Sequence, residues 1–388
     1  MYRIILTAIT LFAVESAASA QNATGLKTSL AVDLVGELAA TKNTEASDKL
    51  EVRSADLLFY APVDHLFSGT LAIAAHQEDD KSVIELHEAH ISSDKLLPGL
   101  KVKLGQFALG VGRLNRFHRH EWAFTSTPKV QSEFFGDEGL YDTGLEFSYL
   151  APLPFYLDIT TGVGNGFTFG HSHDEHGHEE EDHDEDHDEE EEGHDHEEEE
   201  EHSEEEEEAH SESEKPRKPT VYIHLKSFFS AGDVDIQPGL SYLQRVSADD
   251  DKTQIYGFDL TAKKRNGKIL QFLLQSETWH RIVTDHDGDR VFTTGSYLYP
   301  EYGFDNGVSL GLRLDYFTQN NLKDDDGENI KNHTTQITPT LSYKPSEFSR
   351  FSLSFEAKEE KLGDDTVESS IFKIQSTFVL GEHPSHDF

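Results

Sequence analysis

From about residue 26 onward the chain alternates apolar and polar side chains in segments of about 10 to 13 residues, separated by turn residues. The pattern is clearest late in the sequence. Val308, Leu310, Leu312, Leu314 and Tyr316 fall on one face, against Ser309, Gly311, Arg313 and Asp315 on the other. Phe351, Leu353 and Phe355 oppose Ser352, Ser354 and Glu356, while Phe372, Ile374, Phe378 and Leu380 oppose Lys373, Gln375 and Thr377. A period of two is the mark of a β-strand with one apolar and one polar face. Sixteen strands are predicted, near residues 26–38, 50–61, 66–76, 82–92, 100–108, 139–150, 154–164, 219–231, 234–246, 252–263, 268–280, 290–299, 307–318, 332–344, 348–361 and 367–380.

Apolar faces can pair inward in a sandwich, or point to lipid in a membrane barrel whose polar faces line a lumen. Alternation alone does not choose, but the connections do. Every second one is short, as at Pro62-Val63-Asp64, Ala151-Pro152-Leu153, Gly232-Asp233, Arg265-Asn266-Gly267 and Pro345-Ser346-Glu347. Most of the others are longer: 39–49, 109–138, 165–219, 282–289 and 319–331. Sorting by parity is expected of an outer-membrane barrel with short periplasmic turns and long external loops, and a sandwich has no reason for it. The predicted fold is therefore all-β, a transmembrane antiparallel β-barrel of about 16 strands. Such a barrel is wide enough to hold water, so something must narrow it.

Composition sharpens the picture in three ways. Residues 1–20 read as a secretory signal peptide, with Arg3, an apolar stretch Ile4–Val14 and a small-residue site at Ala18-Ser19-Ala20, leaving 21–388 as the exported barrel. No cysteine occurs, so neither disulfides nor thiolate metal sites are available. No stretch approaches the roughly 18 consecutive apolar residues of a spanning helix, and 25 Phe and 13 Tyr favour strands.

The net charge of −41 is concentrated in one place. Between 171 and 214, inside the fourth external loop, the chain has 27 acidic residues and 10 histidines with no Lys or Arg. A segment this polar cannot bury enough surface to offset the entropy of ordering it, so a solvated, disordered loop is expected. His171, His173, His176, His178, His183, His187, His194, His196, His202 and His210 are interleaved with carboxylates, a ligand mixture suited to Zn²⁺ and other borderline divalent ions. The alternative is a charged spacer that binds nothing specifically.

The third external loop, 109–138, is the candidate for narrowing the pore. Its Arg113, Arg116 and Arg119 are placed to meet an anion at a constriction, and His118, His120 and Glu121 offer three metal ligands. The competing reading has Phe117, Trp122, Phe124 and Phe134 fold the loop onto the barrel wall, with its charges paired to one another. His76, His87 and His90 sit on two neighbouring predicted strands beside Glu85 and Glu88. They serve either as a cation path along the lumen or as polar residues near the water interface, depending on a register that pattern does not fix.

The block GQFALGVGRLNRFHRHEWAF (105–124), followed by GDEGLYDTGLEFSYLAP (136–152), resembles a family of bacterial outer-membrane proteins described in part as zinc-regulated receptors and in part as phosphate-selective porin-like proteins. The tail LGEHPSHDF is similar to that family's ending. The likeness spans about 85–166 plus the tail. It implies that Gly105, Arg113, Asn115, His118, His120, Gly139, Asp142 and Gly144 belong to the shared pattern. It also implies that Phe388 is the terminal aromatic read by the barrel-assembly machinery. An energy-coupled receptor needs a folded plug ahead of its barrel, and here the first strand follows the cleavage site closely, so a plug-less pore is expected.

The function expected from these readings is an outer-membrane porin-like channel that concentrates and admits divalent metal cations, zinc foremost, through the acidic His-rich loop. Two alternatives stand beside it: an anion or general diffusion porin using Arg113, Arg116, Arg119, Lys101 and Lys103, and a non-conducting surface metal-binding protein. No cofactor is required beyond Zn²⁺ or another divalent cation as ligand. The expected partners are outer-membrane lipid, metal ions and the assembly machinery, with a homotrimer as the assembly and no nucleic acid. An enzyme is not expected, since neither G-x-S-x-G nor H-E-x-x-H occurs.

Overall fold

A computed structural model describes residues 25–40, 48–78, 81–166, 219–246, 251–267, 269–323, 329–363 and 365–382. The signal-peptide region, the segment 171–214 with its ten histidines, and Phe388 lie outside the described residues. Sixteen antiparallel strands close into one barrel, in which each strand pairs with its sequence neighbours and the first pairs with the last.

The strands are β1 (Lys27–Ala39), β2 (Lys49–Pro62), β3 (Ser68–Glu78), β4 (Lys81–Leu97), β5 (Leu100–Ala108), β6 (Tyr141–Leu150), β7 (Tyr156–Gly164) and β8 (Thr220–Ala231). They continue with β9 (Val234–Val246), β10 (Lys252–Asn266), β11 (Ile269–Thr284), β12 (Arg290–Gly303), β13 (Val308–Lys323), β14 (Asn329–Ser346), β15 (Ser349–Leu362) and β16 (Asp365–Gly381). The barrel closes between Ser29, opposite Gly381, and Ala39, opposite Ile371, leaving no unpaired sheet edge.

The number of strands and their order match the sequence pattern, whereas several ends move. Residues 319–331, expected as a loop, are mostly strand: β13 runs to Lys323 and β14 starts at Asn329, with Leu322 opposite Ile330. Similarly β11 continues to Thr284 and β4 to Leu97. Polar residues continue a ladder at no cost once it rises beyond the hydrocarbon, so the apolar alternation stops before the hydrogen bonding does.

The barrel is inside-out relative to a soluble protein. On β13 Leu312 is 38% exposed and its neighbour Arg313 only 1%, and Leu310, Leu314 and Tyr316 share the exposed face while Ser309 and Asp315 are buried. The same division holds on β15, with Phe351 and Leu353 out and Ser352, Ser354 and Glu356 in, and on β16, with Phe372, Ile374, Phe378 and Leu380 out and Gln375 and Thr377 in. An outward apolar belt around a closed hydrogen-bonded ladder is the arrangement that satisfies every backbone group in lipid. Between β4 and β5 the sheet is drawn tight at Gly105, which pairs with His90; at φ +131° a Cβ there would run into the Ala89 carbonyl oxygen.

The strongest apolar packing lies within the lumen. Between β5 and β6 the chain turns inward through 3₁₀ turns at Leu114–Arg116 and Arg119–Glu121 and a short helix α1 (Lys129–Phe135). Its Leu109, Val111, Leu114, Trp122, Phe124, Val130, Phe134 and Phe135 are buried against Tyr222, Trp279, Tyr297, Tyr299 and Phe317 of the wall.

The outward face predicts a test. Leu312→Arg places a charge in the belt, at a cost of about 2–4 kcal/mol near the bilayer midplane. Denaturant unfolding from phospholipid vesicles is expected to show this loss, and an unchanged midpoint would mean that the face does not meet lipid.

Candidate functional site

A loop of backbone inside a barrel must find partners for its N–H and C=O groups, because buried unpaired groups are costly. Here the wall supplies them by charge. Carboxylates hold the amides of the loop's first half: Glu146 of β6 accepts from the Gly110 N–H at 2.9 Å, and Glu277 of β11 accepts from both the Arg113 and Leu114 N–H at 2.6 Å. Arginines hold the carbonyls of the second half. Arg350 of β15 donates to the Trp122 oxygen at 2.5 Å and the His120 oxygen at 3.0 Å, Arg313 of β13 to the Ser126 oxygen at 2.5 Å, and Arg53 of β2 to the Thr125 oxygen. Two of these arginines are themselves neutralised on the wall, Arg313 by Asp315 at 2.7 Å and Arg53 by Asp33.

Aromatic contacts fix the loop sideways. Phe124 meets Tyr297 and Tyr299 edge-on at 5.2 and 4.9 Å, and Phe135 meets Trp279 at 4.7 Å. Val130 of α1 seats on Gly295, where a Cβ would approach its side chain to 2.7 Å. The reading in which Phe117, Trp122, Phe124 and Phe134 fold the loop against the wall describes the structure.

The residues of the resembling block explain themselves locally. Asn115 gathers both ends of the loop: its Nδ2 donates to the Leu109 and Leu140 carbonyls at 2.8 and 3.2 Å, and its Oδ1 accepts from the Leu140 N–H at 2.5 Å. Gly139 (φ +98°) passes so close that a Cβ would lie 3.0 Å from Asn115 Oδ1. Asp142 accepts from the Gly166 N–H at 3.0 Å, which holds the point where the fourth loop departs.

The three arginines of the expected constriction have different surroundings. Arg119 pairs with Glu138 at 2.9 Å. Burial opposes its charge, but Glu138 and Asp137 more than offset this and hold its pKa above the ordinary value. Arg113 lies over the Phe117 ring at 4.1 Å, with Nη1 donating to Gln237 at 3.4 Å; burial lowers its pKa to about 10, which leaves it cationic at neutral pH. Arg116 instead faces a lumen cavity of about 350 Å³, whose polar lining includes Glu88, His90, Lys101, Lys103 and His118.

The loop thus divides the lumen. On the loop side a hollow of about 320 Å³ is lined by Arg119, Lys129, Glu356, Lys358 and Lys373, and on the turn side one of about 590 Å³ is lined by His120, Glu121, Lys344, Glu347 and Arg350. His118, His120 and Glu121 are close in space but point to different partners. The two imidazoles stack at 5.7 Å, His120 Nδ1 is 2.7 Å from Asp56, His118 Nε2 is 3.8 Å from Glu88, and Glu121 accepts from the backbone N–H of His118 at 3.1 Å.

Register settles the histidines of β3 and β4. Glu88 and His90 line the lumen cavity, 3.4 Å apart between Oε2 and Nδ1, and His76, Glu85 and His87 lie farther toward the loop end. Wall residues Asp56, Glu88 and His90 and loop residues His118 and His120 therefore form one run of carboxylates and imidazoles where the loop meets β2 and β4. Sequence reasoning had these histidines but not Asp56, Glu146, Glu277, Arg53, Arg313 or Arg350. Each of these looks like any polar residue in an alternating strand, and only the inward loop distinguishes them.

No family model matches the chain. A search of curated proteins finds an uncharacterized protein of Aquifex aeolicus (strain VF5), 28% identical over 361 residues that cover 86% of this chain and 69% of that protein. Among solved structures, the trimer form of OmpT from Vibrio cholerae superposes with a TM-score of 0.57 at 8% identity, covering 92% of this chain and 99% of that one. An anion-selective porin from Comamonas acidovorans gives 0.57 at 10%, again over 92% and 99%, and the outer-membrane channel DcaP of Acinetobacter baumannii gives 0.53 at 11%, over 92% and 96%. The chain has the porin-type barrel fold.

The clamps on the inward loop can be tested with thiol chemistry, since the chain has no cysteine of its own. Arg350→Ala removes hydrogen bonds from a charged group, each worth about 1.5–3 kcal/mol, and about 1.4 kcal/mol corresponds to tenfold in an opening equilibrium. A cysteine in place of Ala123 is expected to react with maleimide at least tenfold faster in the Arg350→Ala background. Equal rates would mean that the arginine does not hold the loop.

Proposed function

We propose that this protein is an outer-membrane porin-like channel that gathers divalent metal cations, zinc foremost, and admits them past the inward loop. The observation that carries this reading is the run of imidazoles and carboxylates where the loop meets the wall, made by Asp56, Glu88 and His90 of the strands and His118 and His120 of the loop. Weak, closely spaced ligands suit transfer, because an ion bound too tightly does not move on.

The acidic His-rich segment supports the same function from above. It is inserted between Gly164 and Thr220, which pair directly across β7 and β8, at the barrel end from which the inward loop also springs. Many negative charges at a pore mouth raise the local cation concentration and the entry rate, and histidines add preference for Zn²⁺ over Mg²⁺ and Ca²⁺. The proposal includes export by the signal sequence, recognition of Phe388 by the assembly machinery, and a homotrimer, as in the trimer form of Vibrio OmpT.

A second reading has its own observation. Lys101, Lys103 and Arg116 line the same cavity as Glu88 and His90, and a Comamonas porin of the same fold is anion-selective. Anion passage would then follow the lysines, and the acidic segment would act as a gate.

Planar bilayers separate the readings. Currents through the mature chain are expected to be cation-selective and to respond to zinc on the loop side, and both properties are expected to weaken when 171–214 is deleted. Reversal potentials of anion sign would favour the second reading, and an absence of current would leave a surface metal-binding protein. Metal capture needs neutral imidazole, so the zinc response is expected to fade as pH falls through about 6.5, the ordinary histidine range. A response that persists unchanged at pH 5 would exclude histidine as the ligand.

A further inference from the structure

On β3, His76 shares the lumen face with Thr70, Ala72 and Ala74, while Leu71 points outward. On β4 the pairing opposite this face is irregular. Ala74 pairs with Glu85 and Ile73 with Leu86, but Ala72 pairs with Glu88, so His87 is an extra residue in a β-bulge. In a regular strand His87 and Glu88 would point to opposite faces. The bulge turns both toward the lumen and keeps Ile84, Leu86 and Ile91 outside, which is how bulges re-aim side chains beside functional sites.

The result is a compact group of His76, Glu85 and His87, whose ligand atoms all lie within 4.8 Å of one another. The Nε2 atoms of His76 and His87 are 4.0 and 3.8 Å from the same Glu85 oxygen, too far for hydrogen bonds. His87 is only 5% exposed, and its Nε2 has no hydrogen-bond partner among the described residues. His76 Nδ1 is likewise buried without one. Tyr141 stacks on the His87 ring at 4.8 Å and fixes its plane. A buried nitrogen aimed at a carboxylate that it does not reach is what a metal ligand looks like without its ion. A tetrahedral Zn²⁺ with bonds of about 2.0–2.2 Å would draw such ligands to roughly 3.3–3.6 Å from one another, a contraction that side-chain torsions can supply.

We propose that His76, Glu85 and His87 form a binding site for a divalent transition-metal ion in the barrel wall, on the loop side of His118 and His120. Two imidazoles and one carboxylate select Zn²⁺, Co²⁺ or Ni²⁺ over Mg²⁺ and Ca²⁺, and three protein ligands leave a position open to water or to the next ligand in the chain. Ion binding stands on this geometry, whereas its role as a first station for ions in transit rests on the cation-channel reading.

The test is a titration of the folded barrel in detergent with Co²⁺ and then Zn²⁺. It is run on the full chain and on a variant in which 171–214 is replaced by a short Gly-Ser linker, so that the wall reports alone. The linker variant is expected to bind one equivalent of Co²⁺, with visible ligand-field bands that Zn²⁺ abolishes, and the full chain to bind this equivalent in addition to those of its loop. His76→Asn and Glu85→Gln are expected to weaken the equivalent at least tenfold. His87→Asn should do the same, and if it fails to give the heat-modifiable band of a folded barrel, the two less buried variants decide. No binding by the folded linker variant, or binding unchanged in His76→Asn and Glu85→Gln, would overturn the site. Binding by the wall in a barrel whose currents ignore zinc would sink the channel reading alone, and zinc-dependent currents without wall binding would sink the site alone.

Discussion

Everything in this barrel depends on satisfying the backbone of a segment that has left the sheet. A sixteen-stranded wall encloses a wide space, and the chain between Ala108 and Tyr141 enters it with two 3₁₀ turns, α1 and a few further contacts such as those of Asn115 to pair its own amides and carbonyls. The wall answers with complementary charge, carboxylates toward the entering half and guanidinium groups toward the returning half. Asp33 and Asp315 in turn prevent Arg53 and Arg313 from standing as unpaired buried cations. The lumen's polarity is therefore structural before it is functional: the groups that hold the loop also decide which parts of the cross-section stay open.

What stays open has an electrostatic character of its own. The cavity of about 350 Å³ beside the loop mixes Lys101, Lys103 and Arg116 with Glu88, His90 and Glu146, and Lys103 pairs with Glu146 at 2.9 Å. Cationic and anionic groups thus lie side by side on neighbouring strands, Glu88 and His90 on β4, Lys101 and Lys103 on β5 and Glu146 on β6. His90 lies beside Glu88, 3.4 Å away, where an imidazole can share an ion with its acidic neighbour.

Much of the fold was legible in the sequence, because a membrane barrel needs strong alternation of two solvents along every strand. Leu310-Gly311-Leu312-Arg313-Leu314 has no other economical reading once the connections sort by parity. Strand ends were less legible, since residues such as Lys323 and Asn329 pair above the hydrocarbon without an apolar signature. At the site, the aromatic anchoring of the inward loop could be read from Trp122, Phe124 and Phe134, but not its partners, because Glu277 and Arg350 carry no mark of contacts some 160 and 230 residues away in sequence. One signal was present and unread. In Glu85-Leu86-His87-Glu88-Ala89-His90 the polar positions change parity between His87 and Glu88, and two adjacent polar residues inside a strand mark the bulge.

The junction of Gly164 with Thr220 carries an implication for how such a protein changes over time. These residues are already paired by the sheet, so whatever chain runs between them closes a hairpin whose ends are fixed by the barrel and not by the insert. The entropy of closing a loop grows only logarithmically, at about 0.6 kcal/mol for each doubling of length. The position behaves as a cassette: its contents can lengthen, shorten or exchange chemistry in small genetic steps while the barrel beneath keeps its register, so the chemistry presented at this end can evolve independently of the fold.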